Sequence, residues 1–77
     1  MDILGELAGI RALLIPVEGR LTDFERELKG DPETRLGVTH CVVEASRIRV
    51  REALDDITKE EGYLRQRAVR LAEIQGL

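Results

Sequence analysis

Histidine and cysteine, the side chains best suited to proton transfer and nucleophilic attack near neutral pH, occur once each and side by side, as His40 and Cys41. On a helix, adjacent residues point about 100° apart, so such a pair does not converge on a common substrate. One histidine and one cysteine cannot close a four-ligand metal site, and no His-Glu-x-x-His or Cys-x-x-Cys spacing occurs. His40 is expected to pack beside Leu21 at the edge of a helical seam. Cys41 is expected to be a small, buried or half-buried filler. No catalytic, cofactor or metal residue is assigned.

The basic residues form two clusters, Arg47/Arg49/Arg51 and Arg65/Arg67/Arg70, separated by the acidic block Glu52, Asp55, Asp56, Glu60 and Glu61. A phosphate-binding face would be continuous and often aromatic, whereas acids interrupt this one and Phe24 and Tyr63 are the only aromatics. The pattern reads first as a solvated face or as interhelical ion pairs, and second as a small nucleic-acid-binding regulator. Four residues separate Arg35 from His40, a spacing that resembles the Arg-x4-6-His motif of HEPN-type ribonucleases. The resemblance covers six residues and implies a composite RNA-cleaving site built from Arg35 and His40 across a helical dimer. It stands third.

The elements that would carry these residues are better defined than their chemistry. Ile3, Leu7, Ile10, Leu14, Val17, Leu21, Phe24 and Leu28 follow one another at alternating steps of four and three, the spacing of a coiled-coil seam. Leu36, Val43, Val50, Ile57, Leu64 and Leu71 recur every seven residues. Two long amphipathic helices are expected, helix A over about 2–29 and helix B over about 32–75, joined by a turn at 30–31. Pro16 removes one helical hydrogen bond, but the heptad phase continues across it, so a kink is expected rather than a break. The alternative is a second helix starting at Pro16.

Gly30 suits a left-handed C′ position, Asp31 an N-cap, Pro32 the first helical position and Glu33 the first turn. So short a turn makes the helices antiparallel neighbours. The stretch Val38–Val43 and the alternation Arg47-Ile48-Arg49-Val50-Arg51 have strand character, which makes a β-hairpin the rival reading. Glu44-Ala45-Ser46 offers no hairpin turn, and helix is preferred. Gly76 is the expected C′ residue of helix B.

The chain of 77 residues makes one domain, residues 1–77, and one this short buries only about 60% of its unfolded surface. Ordering it costs on the order of 1.5 kcal/mol per residue, which one shared seam offsets poorly. Disulfides within the chain are impossible with one cysteine and a metal is not supported, which leaves oligomerisation. A net charge of −3 argues against non-specific binding to nucleic acid or acidic lipid. No apolar run is long enough to insert in a membrane, and the start Met-Asp-Ile-Leu-Gly-Glu lacks a basic signal-peptide n-region. The expected setting is cytoplasmic or inside a virion, not secreted.

The hairpin register implied by a short turn places Val17 near Val43, Ile10 near Val50 and Ile3 near Ile57. Tyr63–Leu77 would then project about 22 Å past helix A, at 1.5 Å per residue, or bend at Gly62 into a third helix. Leu4, Leu13 and Ile15 broaden the apolar stripe of helix A, and Tyr63, Leu64, Leu71 and Ile74 lie in the projection. These residues are the expected protein-interaction surface. The fold expected is an all-α antiparallel, coiled-coil-like hairpin that self-associates into a helical bundle. Its expected role is a non-enzymatic interaction or assembly protein, with itself and a further protein as partners and no cofactor. It could serve as an accessory component of a larger assembly such as a phage particle.

Overall fold

The computed structural model describes residues 1–31 and 38–76, whose regular structure is entirely helical: α1 spans Ile3–Gly30 and α2 spans Thr39–Gln75. Asp2 caps α1, its Oδ1 accepting from the Gly5 N–H at 2.9 Å and satisfying one of the first-turn donors that a helix leaves free. The helix passes through Pro16 without interruption, so no new helix starts there. The proline ring removes only the donor that would have reached the Ala12 carbonyl.

The helix ends depart from the expected capping. Gly30 is the last residue of α1, and no described glycine has positive φ, so the left-handed C′ conformation is not used. Asp31 instead turns the chain into an extended conformation, its N–H donating to the Leu28 carbonyl at 3.2 Å. Gly76 stays right-handed at φ −75° and donates to the Ala72 carbonyl. The expected roles of Pro32, Glu33, Arg35 and Leu36 fall outside the described residues.

Val42, Ile48 and Val50 are helical, as the seven-residue series implies, and no strand occurs among the described residues. Ser46 and Thr58 donate to the Val42 and Leu54 carbonyls at 2.8 and 2.9 Å, which holds their hydroxyls against the helix. α2 also continues through Gly62, which overturns the bend into a third helix. Its described start is Thr39, with Val38 as an N-cap that supplies no side-chain bond, and the expected start at Pro32 lies outside the described residues.

The register also differs from expectation. The two helices pack as an antiparallel hairpin in which Arg11 meets Glu61 and Glu25 meets Arg47. Ile10 therefore lies level with the region of Glu61, not Val50, a displacement of about three helical turns, roughly 16 Å at 1.5 Å per residue. In this register the start of α1 lies across from about Val69, so Tyr63 and Leu64 lie alongside α1. Only the last turns of α2, with Leu71 and Ile74, extend beyond it.

The hairpin measures 66 × 16 × 15 Å, the elongated shape of two helices lying side by side. Such a rod has little interior. Among the described residues the buried apolar side chains are Leu28, Val43 and Leu54. Half of the heptad series of α1 faces α2, with Leu7, Leu14 and Leu21 half-buried and Leu28 buried. The other half, Ile3, Ile10, Val17 and Phe24, stands exposed, and its place in the seam is taken by Leu4, Arg11, Glu18 and Glu25. α2 answers with Val43, Arg47, Val50, Leu54, Ile57, Glu61 and Leu64, each buried or half-buried.

Candidate interaction surface

The seam carries charge at its core. Glu61 is 2% exposed; its Oε1 lies 2.9 Å from Arg11 Nε, and its Oε2 accepts from Arg11 Nη2 at 3.2 Å. The Nε–Oε1 approach is a charge contact without hydrogen-bond alignment. Arg65, one turn along α2, adds a longer contact to Oε2 at 3.4 Å. At the other end of the hairpin Glu25 is also buried, bonded by Arg47 Nε and paired with Lys29 Nζ at 3.0 Å. The Arg47 hydrogen bond, followed by that of Lys29, holds the Glu25 carboxyl below its ordinary pKa against the opposing effect of burial. The same bond pushes the Arg47 guanidinium further up. Between the two pairs Arg51 reaches Glu18 at 3.5 Å and Asp55 on its own helix at 3.5 Å.

These contacts bear on the arginine clusters. Arg47 and Arg51 are engaged across the hairpin by Glu25 and Glu18, which is the interhelical ion-pair reading of the sequence, while Arg65 pairs within α2 with Glu61. The ion pairs of Arg11 and Glu61 were not legible as such, because Glu61 read as one member of an acidic block. The available signal was its fall on the same helical line as Arg47 and Leu54, spaced by seven.

His40 and Cys41 depart from expectation. The thiol is exposed rather than buried, and its Sγ lies 3.6 Å from His40 Nε2 and 4.0 Å from Nδ1. The two side chains lean together at the first turn of α2 despite diverging Cα–Cβ bonds. His40 is half-buried, and Arg35, its partner in the ribonuclease-like spacing, lies outside the described residues. Among the described residues no three His, Cys, Asp or Glu side chains cluster to hold a metal ion, and no helix is long and apolar enough to cross a membrane.

Of the residues expected to meet a protein partner, Leu4 and Leu64 are half-buried within the hairpin. Leu13, Ile15, Tyr63, Leu71 and Ile74 are exposed, but they do not form one patch: Leu13 and Ile15 lie on different sides of α1, and Leu71 and Ile74 lie at the end of α2. The surface that sequence reasoning assigned to the interior is the continuous one. Ile3, Ile10, Val17 and Phe24 are 44–52% exposed along one line of α1. A shallow groove beside them is lined by Val17, Leu21 and Phe24, with Arg20, Asp23 and Glu27 at its edges.

No protein-family model, characterised protein or solved structure matches this chain.

Proposed function

We propose that this chain is a non-enzymatic helical interaction module that self-associates in the manner of a coiled coil and presents apolar surface to a protein partner. One observation carries the reading: a hairpin of two helices, 28 and 37 residues long, buries three apolar side chains among its described residues, while an apolar line along α1 and the ends of both helices stay exposed. Burial on that scale does not offset the entropy of ordering the chain, and a second molecule supplies what the hairpin lacks. Exposed apolar patches of a few hundred Å² usually mark such contacts. The kink at Pro16 would adjust the curvature of α1 to its partner. A cytoplasmic or virion-interior setting, as part of a larger assembly such as a phage particle, suits the charge and the unpaired thiol.

A nucleic-acid role draws less support, because acidic side chains already engage three of the clustered arginines. The test is the solution mass of the full chain by light scattering across a range of concentrations, with helicity followed in parallel. The expected result is a mass of two chains or more, with dilution lowering mass and helicity together. A monomer that keeps its full helicity on dilution would overturn the reading.

A further inference from the structure

We propose that the Ile3–Ile10–Val17–Phe24 line of α1 seats the same line of a second copy, running antiparallel, with Leu13 at the two-fold axis. The proposal rests on the self-association reading and names its surface. The four side chains, seven residues apart, form a stripe about 31 Å long at 1.5 Å per residue, and Leu13 beside them is 72% exposed. Arg51 reaches Glu18 on the opposite flank of α1, so the part of α2 bordering the stripe is Ser46, Ala53 and Glu60, small and then charged. The molecule's own α2 therefore offers the stripe no apolar cover, and the matching apolar line of equal length is that of another α1.

Charge sets the direction. A parallel copy would place Glu6, Arg20 and Glu27, all exposed beside the stripe, against their own like charges. Turning the copy antiparallel about Leu13 sets its Glu6 opposite Arg20, its Ile3 opposite Phe24 and its Ile10 opposite Val17. The groove beside Val17, Leu21 and Phe24 then receives Ile3 and Glu6 of the second copy. The contact is isologous, as a two-fold dimer requires.

Two sets of full-chain variants test this, all at positions exposed in the hairpin, with helicity checked by circular dichroism. In a Cys41→Ser background, Leu13→Cys should form a disulfide-linked dimer on mild oxidation much faster than Arg49→Cys on α2. Arg20→Glu sets like charges against Glu6 of the second copy and should weaken association severalfold, and the double change Glu6→Arg with Arg20→Glu should restore it. A wild-type oligomer whose Leu13→Cys variant crosslinks no faster than the Arg49→Cys control, or whose double variant fails to recover, would overturn the α1 seam while leaving self-association standing. A monomeric wild-type chain would overturn both.

Discussion

The Arg11–Glu61 pair should act as a pin whose removal on one side costs more than its removal on both. Glu61 is 2% exposed, so Arg11→Ala would leave its carboxyl group in the seam with only Arg65 in reach at 3.4 Å. Breaking a fully buried pair from one side costs about 3–5 kcal/mol. The Arg11 side chain is 39% exposed and Arg65 remains, so a smaller loss of about 2 kcal/mol is expected here. The double change Arg11→Leu with Glu61→Leu removes the desolvation of both charges and supplies apolar contact. It should be neutral, or stabilising by about 1–2 kcal/mol. Urea unfolding followed by circular dichroism at matched protein concentration measures each variant and gives the coupling of the pair by a double-mutant cycle. A loss under about 0.5 kcal/mol for Arg11→Ala would put the pair in the range of a solvated surface contact and refute the argument.

Two further outcomes follow from the same seam. Glu25 is held below its ordinary value of 4.5, so its contribution is present at neutral pH and is lost as pH falls through the folded-state value. Unfolding midpoints should therefore drop on acidification below pH 4.5, and Glu25→Gln should flatten that limb; an unchanged acid limb in the variant would show that other groups drive it. Gly62 lies inside α2 with open space where a Cβ would stand, so Gly62→Ala should stabilise the helix by about 1 kcal/mol without changing solution mass. A loss of oligomeric mass in Gly62→Ala would instead show that a second backbone approaches there.

Local physics was enough to read the helices in the sequence. The seven-residue series carried Val42, Ile48 and Val50 into α2 against their strand preference, because one buried stripe outweighs intrinsic propensities of less than about 1 kcal/mol. Interhelical ion pairs were one reading of the arginine clusters, and Arg47 and Arg51 fit it, but the Arg11–Glu61 pair was not legible. Nor was the register. A heptad pattern slid by seven residues sets apolar against apolar again, so periodicity alone leaves several pairings of similar merit. The meeting of Arg11 with Glu61 and Glu25 with Arg47 selects one of them.

The same degeneracy hid the interaction surface. α1 has two adjacent lines that could face a neighbour beside Leu7, Leu14, Leu21 and Leu28: the apolar line from Ile3 to Phe24, and the mixed line of Leu4, Arg11, Glu18 and Glu25. Hydrophobicity read along the chain favours the first. The hairpin takes the second, and Arg47 and Glu61 on α2 pair with the Glu25 and Arg11 charges that this line brings into the seam. Periodicity along the chain determined that this protein is two long amphipathic helices. The meeting of charges across the seam, which no single helix contains, decided which apolar line was left facing outward.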